Sequence, residues 1–276
     1  MAPLAHTLAL LAMTVATMAN EVKLLDMAQD SFDDQYQGCR PAMTAALPAL
    51  NHSEFHQNRV FAHYWGQAAA EWQRRGSPVS PLSSEQATAV MAFTMGVYGI
   101  FNIMVHNAGR SRQDYRDKFH YKTLHFLLTD ALATLRNAQK GECLDVFRQD
   151  CGFRFEAQPG DTVWFGEFMM TSLRPTPGSW CLMETMFQVH TCQGAGIQSF
   201  SQQPESKWVL IPPFETFEVT EVTQEWNQTQ ILLRSTGTSS KYNCEWLKGG
   251  SIPIASFHLG GLLLATTALA LATEML

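Results

Sequence analysis

The hydrophobic pattern of this 276-residue chain changes character near Cys143, and that change limits the fold classes open to it. Before Cys143 apolar residues recur at helical spacing, and Ser83 with Gln86 forms the pattern of a capping box that opens a helix. Leucines 124, 127, 128 and 135, with Ala131, form the clearest stripe, which we interpret as core packing. After Cys143 short apolar runs are bounded by glycine and proline, and we predict strands at 163–165, 186–189, 208–211, 216–219 and 231–233. Helices followed by a mostly antiparallel sheet predict the α+β class.

The first residues have the pattern of a secretory signal peptide. Residues 8–15 are apolar, and small residues follow at 16, 17 and 19. This run is too short to span a bilayer. We therefore predict a signal peptide at 1–19, with a buried N-terminal helix as the alternative.

The last residues have the pattern of a lipid-anchor signal. Small residues at 249–251 precede the apolar stretch 252–272, and no basic stop-transfer segment follows it. We predict that 251–276 is a GPI-attachment propeptide and that 20–250 form the folded domain. A single-pass helix and a buried helix are the alternatives.

Charge and cysteine usage exclude several classes of protein. The net charge is −6 and no long run of lysine or arginine occurs, so nucleic acid is not an expected partner. The six cysteines contain no Cys-x-x-Cys pair, and their even number in a secreted chain predicts disulfides and no metal. Sequons at Asn51 and Asn227 predict N-glycosylation in the same compartment.

Composition and spacing alone do not identify a reaction. No Ser-His-Asp order and no phosphate-binding glycine loop stands out. His120 and His125 are five residues apart and do not share a helix face well, so we expect structural roles for both.

Six segments carry a resemblance that spans nearly all of the domain. The segments resemble signatures of the vertebrate ecto-mono-ADP-ribosyltransferases, and the match is closest to the arginine-specific NAD(P)+ branch. They are residues 31–39 (SFDDQYQGC), 108–112 (AGRSR), 122–129 (KTLHFLLT), 143–148 (CLDVFR), 209–217 (VLIPPFETF) and 240–244 (SKYNC).

The resemblance implies a fold and a disulfide pattern. The family fold is a helical N-terminal lobe packed on a two-sheet β-sandwich, with NAD+ in the cleft. Its two disulfides correspond to Cys39–Cys244 and Cys143–Cys192. Cys151 then either bonds to the remaining cysteine, Cys181, or both stay free.

The resemblance also places the family's NAD-binding positions on this chain. Arg148 corresponds to the arginine that binds the NAD phosphates, and Gln149 replaces the glycine that usually follows it. In residues 168–173 (FMMTSL), the first serine of the family's Ser-x-Ser motif falls on Met170, while Ser172 retains the second. The nicotinamide-stacking position falls on Cys181.

The family's Glu-x-Glu pair falls on Ser206 and Trp208, and no Glu-x-Glu occurs in this sequence. The family reaction passes through an oxocarbenium-like cation, which a carboxylate stabilises. Loss of one such group typically costs ~10²–10³ in rate. Glu205 is the alternative source of the carboxylate. Two glutamates that follow, at 215 and 218, are expected to be solvated strand residues.

Two functional hypotheses follow from the resemblance. In the first, the chain transfers ADP-ribose from NAD or NADP, used as substrate without a metal, to arginine on surface proteins. In the second, it is a GPI-anchored surface recognition or antigen protein on the same fold, with weakened or lost catalysis. Hydrolysis of NAD+ by water is a third hypothesis and needs the same missing charge. The substitutions at Met170, Ser206 and Trp208 favour the second.

Overall fold

The computed structural model describes residues 21–76, 80–175, 184–226 and 228–248. The predicted signal peptide, the predicted anchor segment, Cys181 and Asn227 lie outside these ranges.

Helices dominate the chain before Cys143. They are α1 (Arg40–Gln57), α2 (Arg59–Arg74), α3 (Ser84–Ala92), a π-helical turn (Phe93–Val97), α4 (Tyr98–Ala108), α5 (Arg112–Lys118) and α6 (Lys122–Ala138), and a last short helix α7 (Glu245–Lys248) follows the strands. The predicted capping box is confirmed: the Ser83 hydroxyl accepts the Gln86 N–H while the Gln86 side chain accepts the Ser83 N–H.

The stretch from α3 to α4 is long and apolar enough to cross a membrane by length and composition. However, 56% of its most apolar window is buried inside the protein, which is typical of a core helix. The π-helical turn kinks it at Gly96, whose φ is 157°. The backbone conformation favours glycine, and a Cβ there would lie 2.7 Å from the outer atoms of the Tyr64 side chain, which would have to move.

The helical lobe is built around a large aromatic and aliphatic core. The predicted leucine stripe of α6 is confirmed, since Leu124, Leu128 and Leu135 are buried in this core. His125 is fully buried among them; one ring nitrogen hydrogen-bonds the Tyr36 hydroxyl at 2.9 Å and the other the Phe32 carbonyl at 3.2 Å. Its role is therefore structural, as predicted, and burial lowers its pKa to about 3.

In the described ranges, ten strands form the second lobe: β1 (Glu21–Leu24), β2 (Leu144–Cys151), β3 (Phe153–Glu156), β4 (Thr162–Val163), β5 (Met169–Ser172), β6 (Glu184–Thr191), β7 (Ala195–Gly196), β8 (Trp208–Ile211), β9 (Glu215–Glu225) and β10 (Gln228–Thr238). Eight of them follow the order β4-β9-β10-β6-β2-β5-β8-β7, while β1 pairs with β3. Within the eight, only β10 and β6 run parallel among the described pairs, so the sheet is mostly antiparallel, as predicted. The run predicted at 163–165 is a strand only at its start, because the Trp164 N–H turns to the Asp26 carbonyl.

The strands form two layers that are joined at one edge. A five-stranded part ends at β2 and a three-stranded part begins at β5, and one residue pair, Phe147 with Ser172, connects them. The inner faces share one core, in which Met169 and Val209 of the smaller part meet Val146 and Phe187 of the larger. This is the sandwich that the resemblance implied, with the two sheets hydrogen-bonded at a corner.

Disulfides connect the same cysteines that the resemblance implied. Cys39 is bonded to Cys244 across a sequence separation of 205, and Cys143 to Cys192 across 49. Cys151 is disulfide-bonded as well, so no cysteine is free in the described part of the chain.

Buried carboxylates hold the segment 240–245 next to the Cys39–Cys244 bond. Asp33 accepts the N–H groups of Lys241 and Tyr242 at 2.9–3.0 Å. Asp34 accepts those of Cys244 and Glu245, each at 2.9 Å. We call Asp33, Asp34 and residues 240–245 the terminal clamp, since it fixes the end of the domain to the start of the helical lobe.

Candidate functional site

Two adjacent strands bring three of the predicted site positions together. In the β5–β8 pair, Ser172 lies opposite Trp208 and Met170 opposite Leu210. Side chains two apart on a strand share a face, so Met170, Ser172 and Trp208 point to the same side. Met170 and Trp208 are partly buried against the helical core, which places this face at the seam between the two lobes.

The turn that enters β8 adds Ser206 to this face. Residues Pro204–Ser206 form a 3₁₀ turn, and Lys207 follows in the left-handed conformation with φ 48°. This geometry leaves the Ser206 carbonyl 3.4 Å from the Ser172 hydroxyl, which donates to it. Glu205, the alternative carboxylate, is exposed on the outside of the turn. We call Met170, Ser172, Ser206 and Trp208 the site face; none of its four side chains carries a charge.

Arg148 is held by two carboxylates. On β2 its Nε lies 3.0 Å from Asp150 and its Nη1 lies 2.5 Å from Glu167, and only 16% of its side chain is exposed. Burial by itself would lower the pKa of Arg148, but Glu167 and Asp150 more than offset this, so its pKa lies above the usual range. Its cation is therefore permanent and already neutralised by neighbours.

Arg148 and the site face line different surfaces. Phe147 pairs with Ser172, so alternation along β2 turns Arg148 to the opposite side of the strand from Ser172. Arg148 opens instead into a cleft of about 600 Å³ between the N-terminal segment, the end of α4 and the segment after β4. Its described lining includes no member of the site face. Gln149, on the other side of β2, donates its amide to Glu184 of β6.

Sequence reasoning missed both partners of Arg148. Asp150 carries a weak signal, because residues two apart on a strand share a face. Glu167 is 19 residues away in sequence and carries none. His106 of α4 also faces this group, with its Nε2 3.9 Å from Glu167 and its Nδ1 2.8 Å from the Ser31 hydroxyl.

The expectation that Glu215 is solvated was wrong. Its side chain is 1% exposed and accepts hydrogen bonds from the Thr191 hydroxyl, the Ser235 hydroxyl and the N–H groups of Cys192 and Gln193. Burial raises its pKa in spite of these donors. The strand order brings β10 and the end of β6 beside the start of β9, and the carboxylate satisfies the turn after β6. Glu218, three residues on, is exposed, as predicted.

One cluster has the composition of a metal site. Cys143, Cys192 and His190 lie close enough to share an ion. Both sulfurs are used by the disulfide between them, and His190 Nδ1 lies 2.8 Å from Asp145. In its disulfide form this cluster offers one nitrogen ligand.

Comparison with known proteins agrees with the fold. The family model for NAD:arginine ADP-ribosyltransferase matches residues 25–241. The erythroblast NAD(P)(+)–arginine ADP-ribosyltransferase of Gallus gallus is 47% identical over 230 residues, covering 82% of this chain and 76% of that protein. The GPI-linked NAD(P)(+)–arginine ADP-ribosyltransferase 1 of Mus musculus is 46% identical, covering 81% and 73%.

A solved structure gives the same result in three dimensions. The eukaryotic mono-ADP-ribosyltransferase ART2.2 superposes with a TM-score of 0.67 at 29% identity, covering 80% of this chain and 98% of that one. Variants of that protein have been crystallised in complex with NADH and with NAD. The residues matched by the family model, the identities to arginine-specific transferases and the shared fold together make this chain a member of the NAD:arginine ADP-ribosyltransferase family.

Proposed function

We propose that this chain is a cell-surface member of the family in which transfer of ADP-ribose from NAD(P)+ to arginine is weakened or lost, and that it acts by recognition. The observation that supports this most directly is the site face. The positions where the family resemblance places an acceptor glutamate and a catalytic glutamate carry Ser206 and Trp208, beside Met170 in place of a serine.

The chemistry explains why these substitutions matter. Cleavage of the nicotinamide–ribose bond develops positive charge on the ribose, and a fixed carboxylate lowers the energy of that state. Trp208 offers one N–H donor and no negative charge, and Met170 offers no hydroxyl. Loss of the carboxylate alone is expected to reduce the rate by ~10²–10³.

NAD(P)+ binding is expected to be weak for a second reason. In the role implied by the resemblance, Arg148 binds the phosphates and Ser172 contacts the ribose or the catalytic group. The phosphates would have to displace Glu167 or Asp150 from Arg148, or bind against their negative charge. The nicotinamide-stacking role of Cys181 remains part of the same proposal.

The cellular setting is inferred from the sequence and from relatives. Relatives from Mus musculus and Homo sapiens are named GPI-linked, which supports attachment of this chain to the plasma membrane through a lipid anchor. Asn51 lies in the middle of α1 and is partly exposed, and its glycosylation, like that of Asn227, remains a prediction. The expected partners are arginine-bearing surface proteins, whether as acceptors or as bound partners.

The test restores the missing charges. The secreted, disulfide-bonded protein is incubated with labelled NAD+ and an arginine acceptor, beside a Ser206→Glu, Trp208→Glu double variant. A Ser206→Gln, Trp208→Gln variant is the matched control, because it has the same shape without charge. We expect no transfer by the unmodified chain or the control, and transfer by the glutamate variant.

Transfer by the unmodified chain would contradict the proposal, and Glu205→Gln would then show whether Glu205 supplies the carboxylate. If none of the three proteins transfers ADP-ribose, the result supports a role in recognition. The cause of the inactivity then lies at Met170, at Gln149 or at Arg148 with its ion-pair partners. Calorimetric titration with NAD+ distinguishes a missing phosphate contact from a missing serine. A glutamate variant that binds NAD+ without transferring ADP-ribose retains the phosphate contact, and its inactivity is then due to Met170 in place of the serine.

A further inference from the structure

Two histidines lie one turn apart on the same face of α1. His52 and His56 are four residues apart within this helix, and residues at that spacing are neighbours on a helix surface. Both side chains are exposed. Their ring centroids are 4.6 Å apart and the ring planes meet at 76°. The helix therefore places two imidazoles side by side in solvent, and we call His52 and His56 the histidine pair.

The separation of the two rings fits a shared metal ion. An imidazole nitrogen binds zinc at about 2.0–2.1 Å, and the centre of the ring lies about 1.2 Å beyond that nitrogen. Two such ligands at an angle of about 90–110° around one ion therefore have ring centres roughly 4.5–5.3 Å apart. The observed 4.6 Å lies in this range. Rotation of the two exposed side chains is then enough to bind an ion, because the helix backbone already has the required spacing.

The nitrogens of the histidine pair are available to an ion. Within the ranges that the structure describes, neither ring hydrogen-bonds a protein group or forms an ion pair. In contrast, His106, His125 and His190 each hydrogen-bond a protein group. Neutral imidazole is the commonest metal ligand in proteins. An ion at the histidine pair therefore replaces only water.

Nitrogen ligands determine which class of ion fits. Imidazole suits copper, zinc and nickel, whereas magnesium and calcium prefer oxygen ligands. For a given set of nitrogen ligands, Cu²⁺ binds more tightly than Zn²⁺. Two protein ligands leave further coordination positions open, which water or a donor from a bound partner can fill.

We propose that the histidine pair is a surface site for a divalent transition-metal ion, Cu²⁺ or Zn²⁺. This departs from the expectation of no metal that the sequence gave. Helix α1 contributes no residue to the site face or to the described lining of the Arg148 cleft, so the inference does not depend on whether transfer activity has been lost. It is also separate from the cluster at Cys143, His190 and Cys192, whose sulfurs form a disulfide.

The first experiment measures binding of the metal ions alone. The disulfide-bonded protein, without an affinity tag and freed of metal by a chelator, is titrated with Cu²⁺, Zn²⁺ and Mg²⁺ by calorimetry. We expect Cu²⁺ to bind more tightly than Zn²⁺, and Mg²⁺ not to bind. Electron paramagnetic resonance of the Cu²⁺-loaded protein should show two nitrogen ligands. Failure of both Cu²⁺ and Zn²⁺ to bind, or a spectrum with fewer than two nitrogen ligands, would overturn the proposal.

The second experiment moves one histidine by one position. A His56→Gln, Gln57→His variant has the same composition, but its two histidines are five residues apart and do not share a helix face well. Both changed positions are exposed, so the fold should tolerate the exchange. The variant should bind Cu²⁺ at least roughly tenfold more weakly, because the second imidazole no longer reaches the same ion.

The matched control removes a histidine elsewhere. His190→Gln takes away the one nitrogen ligand of the cysteine cluster and should leave the Cu²⁺ affinity unchanged. His52→Gln should reproduce the loss seen with the exchanged variant. Unchanged affinity in both α1 variants, or a loss in His190→Gln as large as theirs, would place the ion elsewhere and refute the assignment.

Discussion

The terminal clamp and the site face use polar side chains in opposite ways. In the clamp, buried Asp33 and Asp34 accept backbone N–H groups that would otherwise have no partner, and two arginines of α5 hold the buried Glu245. On the site face, the positions that the family resemblance assigns to carboxylates carry a serine and a partly buried tryptophan. The carboxylates of the clamp stabilise the fold. The side-chain polar groups of the site face are only the hydroxyls of Ser172 and Ser206 and the indole N–H of Trp208.

This difference shows that the stability of the fold and the chemistry of the site depend on different residues. Burial raises the pKa of Asp33 and Asp34, so each carboxylate is held against a desolvation cost by the donors around it. Replacing one without its donors leaves buried backbone groups unsatisfied. Trp208 accepts no backbone N–H through its side chain, and the β5–β8 pair is intact with Trp208 opposite Ser172.

The largest effect is expected from opening the clamp. Replacing Cys39 and Cys244 by alanine opens a loop with a sequence separation of 205 and should lower the free energy of unfolding by about 5 kcal/mol. The same change at Cys143 and Cys192 opens a loop with a separation of 49 and should lower it by about 4 kcal/mol. Chemical denaturation of the secreted protein measures both. A smaller loss at Cys39–Cys244 than at Cys143–Cys192 would mean that the clamp survives without its disulfide.

The second-largest effect on the free energy of unfolding is expected at another buried carboxylate that stabilises the fold, Glu215. Glu215→Ala should lower the free energy of unfolding by about 3–5 kcal/mol, because four donors lose their acceptor at once. Glu218→Ala on the same strand is the control and should change it by less than about 0.5 kcal/mol. Similar values for the two variants, from urea unfolding, would contradict the structural role of Glu215.

A third effect depends on pH and tests the packing behind the clamp. His125 is neutral in the fold with a pKa of about 3, against an ordinary value of 6.5, because burial disfavours its charged form. The unfolded chain therefore binds more protons, and stability falls as pH drops below about 6.5. Between pH 6.5 and pH 5 the contribution is about 2 kcal/mol.

The carboxylates whose pKa is raised, such as Asp34 and Glu54, act in the opposite direction, because the fold then binds more protons than the unfolded chain. The measurement is therefore the difference in this pH dependence between the unmodified protein and His125→Gln. Parallel curves for the two proteins would show that folding does not lower the pKa of His125, which would contradict its burial as a neutral ring.

The smallest effect is expected on the site face. Met170→Leu conserves volume and removes no hydrogen bond, so it should change the free energy of unfolding by less than about 1.5 kcal/mol. Thermal unfolding beside the Glu215 variant gives the contrast directly. A loss of unfolding free energy as large as that of Glu215→Ala would mean that Met170 is required for the stability of the fold. The contrast between the residues that stabilise the fold and the site face would then be contradicted.

Local signals in the sequence accounted for the helical lobe. The capping box at Ser83 and the leucine stripe of α6 depend on residues three or four apart, and both are present. The resemblance supplied what spacing does not, namely which cysteines pair. It also assigned Ser172 and Trp208 to site positions of the family, and the structure places them opposite each other on β5 and β8.

Three features could not be predicted from the sequence because they depend on contacts between residues that are far apart in the chain. Glu167 reaches Arg148 only when the segment after β4 folds over β2. Glu215 is buried only because strand order puts Ser235 and the turn after Thr191 beside it. Gly96 kinks a helix whose apolar pattern continues without a break, and the space taken by Tyr64 is invisible in the sequence.

The terminal clamp also determines how this domain responds to tension. A pull on the chain beyond Lys248 reaches Cys244 first, where one covalent bond passes it to Cys39 at the start of α1. Asp34 and Asp33 share the remaining strain through hydrogen bonds that lie in the same short stretch. The mechanical path therefore enters the helical lobe through this bond, and β10 lies outside that path.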